Sequence, residues 1–393
     1  MTRLADRQIE IVLRNKVYFG IGAIARLPEV VAATGGSRAF VVTDPGVRAS
    51  GVVDRALAAL TEASVAHMVF DEVEPNPAAS TVERGATALR DFGLEGTVVV
   101  PIGGGSSMDT AKALDLRAAN EPLTVWELEY DGASLVPGSP VVAVPTTAGT
   151  GAETNSFGVI TDEVVGRKGY IGHPSLLPVA TILDPALTVG LPPAATAATG
   201  IDAMTHSLES LLSANPNPFA ESTALGVIRT VAEWLPRAVS DGADLEARSQ
   251  MLLASHLAGV GQASGTGVGL VHALGHALGT RGQLPHGTAL AVILPEVLDF
   301  YRGIGDRELA LVGVALRVAS PTEDEATAAG VAIGAIRRLC EEVGQRPTLR
   351  SLGFDERVLD IIAEDAIADA AIRNSPRLPT PPQARSILAA VLG

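Results

Sequence analysis

Three of the chain's seven histidines fall within one short segment, GLVHALGHALGTRGQLPHG at residues 269–287. On a helix, His272 and His276 stand at positions i and i+4, so their side chains share one face. His286 follows the stretch GTRGQLP, whose glycines and proline predict a break that lets the chain turn back. The segment therefore predicts that three imidazoles lie close together, as metal ligands, as catalysts or as neighbouring polar residues.

A second segment, TGIDAMTHSLESLL, places Asp202 and His206 at i and i+4 of a predicted helix. One carboxylate with several neutral imidazoles suits Fe²⁺ or Zn²⁺, whereas an oxygen-only Ca²⁺ or Mg²⁺ site does not explain the histidines. Because Cys340 is the only cysteine, an intrachain disulfide and a thiolate metal cluster are both excluded. Spacing alone leaves open whether these histidines bind metal or are ordinary hydrogen-bonded residues. The remaining histidines are interpreted as structural or surface residues: His67, His173 and His256.

Three strand ends in the first half carry loops that suit a nucleotide. In VVVPIGGGSSMDTAKAL, three glycines follow an apolar strand and precede a helical pattern. Glycine allows a positive φ and close backbone approach, and a helix N-terminus attracts phosphate. The spacing matches neither GxGxxG nor a Walker loop, so an ordinary turn is the alternative. The segments PTTAGTGAE and VVTDPG end two further strands, at the place where open α/β sheets bind ligands.

Asp44, in VVTDPG, has a specific consequence for cofactor choice. A carboxylate at this strand end would accept hydrogen bonds from the ribose of NAD and would repel the 2′-phosphate of NADP. Aspartate is also common in such turns for purely local reasons.

The elements that must position these residues divide the chain in two. Apolar runs at 39–44, 96–106 and 140–151 predict buried strands, and the stretches VVDRALAALTEASV and STVERGATALRDFG between them have helical period. Such alternation predicts a parallel sheet with helices on both faces. Beyond the proline-rich segment 185–193 the patterns are long and helical. We therefore predict an α/β domain at residues 1–190 and an all-helical domain at residues 191–393.

Composition narrows the function classes. The 393 residues are 47% hydrophobic, which indicates a compact globular protein. The net charge of −15 argues against a nucleic-acid partner. The N-terminal residues lack the apolar core of a signal peptide, and the chain has no uncharged run of about 18 apolar residues. These features predict a cytoplasmic protein without a membrane partner.

Four segments occur in the order and approximate spacing of the iron-containing (group III) alcohol dehydrogenases: GGGSSMDTAKAL, VPTTAGTGAE, GIDAMTHSLES and GLVHALGHALG with its LPHG. The sequence resembles that family over essentially its whole length. The resemblance implies a Rossmann-like α/β domain, an all-helical domain and a dehydroquinate synthase-like architecture. It also implies a metal- and NAD-dependent alcohol dehydrogenase or aldehyde reductase. Hydride would pass between the nicotinamide and a primary alcohol or diol, or its aldehyde, whose oxygen is bound to the metal.

The resemblance also assigns residues. It implies a metal site for Fe²⁺, with Zn²⁺ as the alternative, formed by Asp202, His206, His272 and His286. His276 matches the family's non-ligand histidine near the substrate, and an imidazole pKa of about 6.5 suits a proton relay. Asp44 matches a position associated with preference for NAD over NADP. The other positions implied to bind the cofactor are Asn76, Gly103, Gly104, Gly105, Ser106, Ser107, Asp109, Thr146, Thr147, Thr150 and Lys168.

One segment departs from the family pattern. Where many relatives read AGxAF, this chain reads AGVGQASGTG, so Gln262 and small residues replace a bulky aromatic. The change predicts a wider or more polar substrate pocket.

Other functions remain open at this stage. Glycerol dehydrogenases share the architecture but have a metal set less rich in histidine. Sugar-phosphate cyclases need a basic pocket, and no matching Lys/Arg cluster surrounds the histidines here. A non-catalytic metal- or nucleotide-binding protein is the alternative from another class. The N-terminal segment QIEIVLRNKVYFG predicts an edge strand that either pairs across a homodimer, as in relatives, or completes its own sheet; a higher homo-oligomer is also open.

Overall fold

The computed structural model describes residues 9, 11, 13, 15–130, 135–165 and 167–393. The chain forms two compact units, one of them Arg14–Leu191 and the other containing Pro192–Gly393. The predicted domain boundary lay between residues 190 and 191. Among the described residues, no helix combines the length and apolar character needed to cross a membrane.

The strands of the first unit are β1 Lys16–Phe19, β2 Arg38–Val42, β3 Ala66–Phe70, β4 Thr97–Gly103, β5 Val142–Pro145, β6 Phe157–Asp162, β7 Arg167–Gly172 and β8 Ala180–Leu183. Six of them form a parallel sheet with the order β1-β8-β5-β4-β2-β3. The other two, β6 and β7, form a separate antiparallel pair. The predicted parallel sheet is confirmed. The β6–β7 pair was not predicted, because glycines and charged residues interrupt the strand pattern of RKGYIG.

Helices cover both faces of this sheet. Along β2, Phe40 and Val42 belong to one apolar core, whereas Ala39 and Val41 belong to another on the opposite face. Burial on both faces explains why the predicted strands are continuously apolar instead of alternating. The helices of this unit are α1 Leu27–Ala33, α2 Pro45–Ala49, α3 Val52–Glu62, α4 Ala79–Phe92 and α5 Gly105–Ala119.

Strand β1 lies at an edge of the sheet and pairs with β8 in parallel. This pairing answers part of the prediction for the N-terminal segment, because Lys16–Phe19 completes the chain's own sheet. Residues 8, 10, 12 and 14 of that segment lie outside the described residues. Pairing across a dimer stays a prediction.

The second unit is helical over its described residues, as predicted. Its α-helices are α6 Pro193–Leu212, α7 Pro218–Ser240, α8 Leu245–Gly261, α9 Leu270–Gly282, α10 His286–Phe300, α11 Asp306–Ala315, α12 Glu325–Glu342, α13 Leu359–Ala368 and α14 Pro381–Ala390. A π-helical turn, Gln262–Thr266, follows α8.

The break predicted at GTRGQLP is shorter than that segment, because its first four residues still belong to α9 and the chain turns only at residues 283–285, before α10. Gln283 adopts the left-handed conformation with φ of +51°, which ends α9 and redirects the chain. Pro285 directly precedes α10, and His286 becomes the first residue of that helix. The break therefore places His286 at a helix start that packs close to α9.

Candidate metal and nucleotide sites

The four predicted metal ligands and His276 come together in the second unit. Asp202 and His206 lie one turn apart on α6, and His272 and His276 lie one turn apart on α9. The ring centroids of His206 and His272 are 4.6 Å apart, and those of His272 and His286 are 5.4 Å apart. His276 stacks on His286 with centroids 5.5 Å apart. Three helices thus converge on one cluster of imidazoles around one carboxylate.

The oxygen Oδ1 of Asp202 is the centre of this cluster. It lies 3.6 Å from Nδ1 of His206, 3.6 Å from Nε2 of His272 and 3.8 Å from Nε2 of His286. These separations are too long for good hydrogen bonds. Ligand atoms about 2.1 Å from one tetrahedral metal ion are about 3.4 Å from one another. The spacing is therefore that of donor atoms that share a cation.

Burial supports the same interpretation. The side chains of Asp202 and His272 are 2% and 3% exposed. Within the part of the chain that the structure describes, neither Oδ1 of Asp202 nor Nε2 of His272 makes a hydrogen bond. Buried polar atoms almost always have a partner, and an orphaned pair of this kind requires an explanation. A divalent cation would satisfy both atoms, so the residues present fit a metal ion.

The charges of the cluster favour an ionised carboxylate. Burial by itself raises the pKa of Asp202, but the neighbouring imidazoles outweigh burial and lower that pKa below its usual range. Burial lowers the pKa of His272, whereas the charges of Glu209 and Asp202 and the hydrogen bond between Nδ1 and Glu209 raise it, to about 9 overall. Two carboxylates thus attract positive charge to His272, and a metal ion would supply that charge in place of a proton.

The candidate ligands differ in how tightly they cluster. Asp202, His206 and His272 each offer a ligand atom, and these atoms all lie within 4.8 Å of one another. The side chain of His286 is 30% exposed, against 7% for His206. The cluster therefore consists of a buried triad and a fourth, more accessible imidazole.

His276 has a different partner from the other histidines. Its Nδ1 lies 2.8 Å from Oδ2 of Asp369, and Oδ1 of the same carboxylate accepts a hydrogen bond of 2.8 Å from the backbone N–H of Ala371. Burial raises the pKa of Asp369, but its hydrogen bond and charge interaction with His276 lower the pKa overall. The His276 ring is thus fixed by a carboxylate that holds it through Nδ1.

In the first unit, the ends of β2, β4 and β5 meet. The backbone N–H of Thr146 donates to the carbonyl oxygen of Gly103 at 2.9 Å. A Cβ placed on Gly103 would lie 2.2 Å from Oγ of Ser107 and 3.5 Å from Oδ2 of Asp44. Oδ1 of Asp44 accepts a hydrogen bond of 2.9 Å from the backbone N–H of Val47 and so caps α2. Asp44 therefore caps α2, which is the purely local role that its sequence context also allowed. It also borders the glycine loop, residues 103–105.

The glycine loop depends on close approach and not on unusual backbone angles. None of Gly103, Gly104 and Gly105 has a positive φ. A Cβ on Gly104 would lie 3.1 Å from Cγ2 of Thr147, and a Cβ on Gly105 would lie 2.8 Å from Cγ2 of Thr150. The side chains of Thr147 and Thr150 therefore pack directly against the backbone of the glycines. Helix α5 begins directly at Gly105, with Ser106 in its first turn, so the N–H groups of a helix N-terminus, which have no partner within the helix, lie at this junction.

Asn76 and Lys168 also come together, although 92 residues separate them. Nζ of Lys168 donates to Oδ1 of Asn76 at 3.1 Å, and Asn76 adopts a left-handed conformation with φ of +54°. Burial raises the pKa of Asp109 to about 6, and the charges of Lys112 and Lys168 oppose that rise. Asn76, Lys168 and Asp109 therefore form one polar neighbourhood.

Lys112 is a residue of this region that the sequence did not single out. Its fully buried ammonium group donates to the carbonyl oxygens of Ala152 and Phe157, at 2.5 and 2.9 Å, and to Oδ1 of Asn155 at 2.7 Å. Burial lowers its pKa to about 8 against the attraction of nearby carboxylates. Lys112 thus links α5 to residues 152–157, which follow the loop that contains Thr146, Thr147 and Thr150.

Comparison with known proteins identifies the family. The family described as iron-containing alcohol dehydrogenase matches residues 14–185, and its C-terminal family matches residues 196–392. The chain is 38% identical over 371 residues to the protein named "Probable alcohol dehydrogenase EutG" of Salmonella typhimurium, covering 94% of this chain and 91% of the relative. The chain belongs to the iron-containing alcohol dehydrogenase family. This membership makes it an oxidoreductase, and the family uses NAD and iron.

Two further similarities extend over nearly the whole chain. The 1,3-propanediol dehydrogenase of Klebsiella pneumoniae is 36% identical over 378 residues, with 95% of this chain and 96% of the relative covered. A crystal structure of a 1,3-propanediol oxidoreductase superposes with a TM-score of 0.93 and 34% identity, covering 98% of this chain and all of the other. Membership of the iron-containing alcohol dehydrogenase family confirms the resemblance inferred from the four segments. It also excludes the alternative from another class, a non-catalytic metal- or nucleotide-binding protein.

Two carboxylates beside the histidines of this family member were missed in the sequence. Glu209 stands on the same helical face as Asp202 and His206, at i+7 and i+3, so periodicity contained a signal for it. Asp369 lies 93 residues beyond His276, and no spacing in the sequence relates the two.

Proposed function

We propose that this chain oxidises a primary alcohol or diol, or reduces the corresponding aldehyde, with NAD and one divalent metal ion. The observation that carries the proposal is the set of donor atoms around Oδ1 of Asp202. They lie 3.6 to 3.8 Å from that oxygen, a spacing that suits a shared cation. Fe²⁺ is the proposed metal and Zn²⁺ the alternative, because both accept imidazole and carboxylate ligands. The ligands proposed are Asp202, His206, His272 and His286.

The bound groups and the chain's own residues have separate tasks. When bound, the metal supplies a Lewis acid for the substrate oxygen and the nicotinamide accepts or supplies the hydride. Asp202 supplies the anionic ligand, and its burial excludes water from that side of the site. His276 moves the proton. With Nδ1 held by Asp369, its Nε2 takes a proton during alcohol oxidation and returns one during aldehyde reduction.

The first unit is proposed to bind NAD through the loops at the ends of β2, β4 and β5. The N–H groups at the start of α5 suit the pyrophosphate, and the contacting glycines let the ligand approach the backbone. The charge of Asp44, beside Gly103, favours NAD over NADP. The residues proposed to contact the cofactor are Asp44, Asn76, Gly103, Gly104, Gly105, Ser106, Ser107, Asp109, Thr146, Thr147, Thr150 and Lys168.

Short primary alcohols and diols are the proposed substrates. The relatives named for 1,3-propanediol support this class, since they are 34% and 36% identical to the chain. Gln262 begins the π-helical turn after α8. Hydrogen bonds hold small side chains of this turn, including one from Oγ1 of Thr266 to Oγ of Ser210. A polar segment at this position favours a substrate with a second hydroxyl group.

A homodimer is proposed on the basis of the sheet edge. Val17 and Phe19 on β1 are 37% and 46% exposed, and the following Ile21 is 62% exposed. An exposed apolar edge strand is a surface that commonly pairs with another chain. The molar mass in solution, measured by light scattering, tests this: a monomer at micromolar concentration overturns it. The cytoplasmic location stays a prediction from the sequence.

The activity is tested by elemental analysis of protein purified without oxygen, together with NADH oxidation by short aldehydes before and after chelation. We expect about one equivalent of metal per chain and turnover that chelation abolishes and added metal restores. Absence of metal, with turnover unaffected by chelation, would show that the ligand assignment is wrong. Metal without turnover on any carbonyl compound would contradict the dehydrogenase activity itself.

A further inference from the structure

Glu209 lies in the metal-binding unit but has no place in the function described so far. It stands on α6 one turn after His206 and two turns after Asp202. Its residue exposure is only 5%, so the carboxylate is removed from water. A buried carboxylate is unfavourable unless it is paired and hydrogen-bonded, so its partners indicate what it does.

Three donors converge on this carboxylate, and all of them belong to the start of α9. Oε2 accepts hydrogen bonds from the backbone N–H of Gly269 at 2.9 Å and from Nδ1 of His272 at 2.6 Å. Oε1 accepts from the backbone N–H of Val271 at 2.6 Å. Glu209 therefore caps the N-terminus of the helix that carries His272 and also binds the His272 ring itself.

Gly269 makes room for this arrangement. A Cβ at position 269 would lie 3.2 Å from Oε1 of Glu209 and 3.1 Å from Oγ of Ser375. Contacts of this length require the neighbouring atoms to shift by a few tenths of an ångström. The carboxylate is thus seated against the backbone of α9 with no space to spare.

The hydrogen bond at Nδ1 determines what the other nitrogen of His272 can do. Because an ionised carboxylate is only an acceptor, Nδ1 must carry the hydrogen. In the neutral ring, Nε2 then keeps its lone pair, and it faces Oδ1 of Asp202 at 3.6 Å. A ring in the opposite tautomer would present N–H to the metal position and could not bind a cation. A carboxylate behind a metal-bound histidine is a recurring means of fixing this geometry.

We propose that Glu209 is a positioning residue of the metal centre. It holds His272 in the tautomer and orientation that present Nε2 to the cation, and it anchors that ligand to the start of α9. This inference rests on the proposed function, because it assumes a metal ion at Asp202. If Glu209 has this role, the affinity of the site for metal depends on Glu209 even though Glu209 does not bind the metal itself.

The test is Glu209→Gln, with Glu233→Gln as the matched control. Both substitutions remove one negative charge from the second unit, but Glu233 is exposed on α7. The glutamine amide has one oxygen for three donors, and its NH₂ group cannot accept the hydrogen of Nδ1. Apo protein is titrated with Zn²⁺ against a competing chelator, and Co²⁺ absorption spectra report ligand geometry. We expect affinity to fall about 10- to 100-fold in Glu209→Gln, with an altered Co²⁺ spectrum, and to stay unchanged in Glu233→Gln.

The outcomes separate this inference from the proposed function. If the unmodified protein binds no Zn²⁺, both fail together. If it binds one equivalent and Glu209→Gln binds equally tightly with the same Co²⁺ spectrum, the positioning role alone is wrong. A lower unfolding midpoint of the apo variant with unchanged metal affinity would likewise overturn it, since Glu209 would then only cap α9.

A milder variant covers the case in which Glu209→Gln does not fold. Gly269→Ala keeps the carboxylate but displaces it, because of the 3.2 Å contact with Oε1. We expect Zn²⁺ affinity to fall in Gly269→Ala as well, by a smaller factor. Affinity equal to that of the unmodified protein in a folded Gly269→Ala variant would contradict the proposal.

Discussion

Nδ1 of His276 and Oδ2 of Asp369 are joined by a hydrogen bond of 2.8 Å. His272, one turn earlier on α9, uses its own Nδ1 to bind a different carboxylate, Glu209. The two histidines therefore share a helix face and are each held through Nδ1 by a carboxylate. Nε2 of His272 lies 3.6 Å from Oδ1 of Asp202. In the proposed function His272 is a metal ligand, whereas His276 transfers the proton.

Asp369→Asn is expected to lower kcat about 10- to 100-fold while metal content stays at about one equivalent. The asparagine has a single oxygen, and the backbone N–H of Ala371 already requires one acceptor. The NH₂ group then faces Nδ1 of His276 and favours the tautomer with hydrogen on Nε2, which cannot take a proton. Steady-state kinetics with metal analysis measures both effects.

The matched control for this change is Asp365→Asn, since Asp365 lies on α13, one turn before Asp369, but pairs with Arg281 near the surface. Its kcat should be unchanged. Restoration of part of the activity by Asp369→Glu would show that the carboxylate is required. Equal kcat in Asp369→Asn and the unmodified protein would remove Asp369 from the mechanism.

Substitution of a proposed ligand and of the proposed proton carrier should differ in their effect on metal content. Asp202→Ala is expected to lose the metal, because Oδ1 of Asp202 is the atom on which the other ligand atoms centre. His276→Ala is expected to keep the metal and lose turnover by about 10²- to 10⁴-fold. Elemental analysis and NADH oxidation on the same samples distinguish them. A fully metallated, active Asp202→Ala protein would show that Asp202 is not a required metal ligand.

The convergence of the proposed ligands was predictable from the sequence because most of their spacing is local. Asp202 and His206 share one helix, His272 and His276 share another, and the break before His286 is marked by glycine and proline. The parallel sheet was predictable for a similar reason, since strands buried on both faces are continuously apolar. These are features that one turn or one strand already determines.

The supporting contacts were less accessible because tertiary structure creates them. Asp369 reaches His276 across 93 residues, and Lys168 reaches Asn76 across 92. Lys168 lies on β7, in the antiparallel pair that the strand pattern did not predict. Glu209 is the intermediate case: its position on the face of Asp202 was visible, but its partners at the start of α9 were not.

Asp44→Asn is expected to lower the preference for NAD over NADP about tenfold or more, as the ratio of the two kcat/KM values. Like charges about 4 Å apart repel by about 1 kcal/mol in water and by about 4 kcal/mol near a protein surface, and about 1.4 kcal/mol is tenfold. Asparagine keeps an oxygen for the N–H of Val47, so the cap of α2 is retained. An unchanged ratio would show that Asp44 has only its capping role.

The buried carboxyl group of Asp115 should make stability depend on pH. Asp115 is 0% exposed, and burial raises its pKa to about 7, although hydrogen bonds from Ser139 oppose the rise. Between about pH 4 and pH 7 the folded state then binds more protons than the unfolded state, so the free energy of unfolding falls as pH rises. Asp115→Asn removes this group at nearly constant volume. Urea unfolding should show a variant that is more stable than the unmodified protein at pH 7.5, by at most about 4 kcal/mol, and that loses this advantage towards pH 4.5. The control is Asp91→Asn, which changes an exposed carboxylate on α4 and should have the stability of the unmodified protein at both pH values. If Asp115→Asn also had that stability at both pH values, Asp115 would be ionised inside the fold.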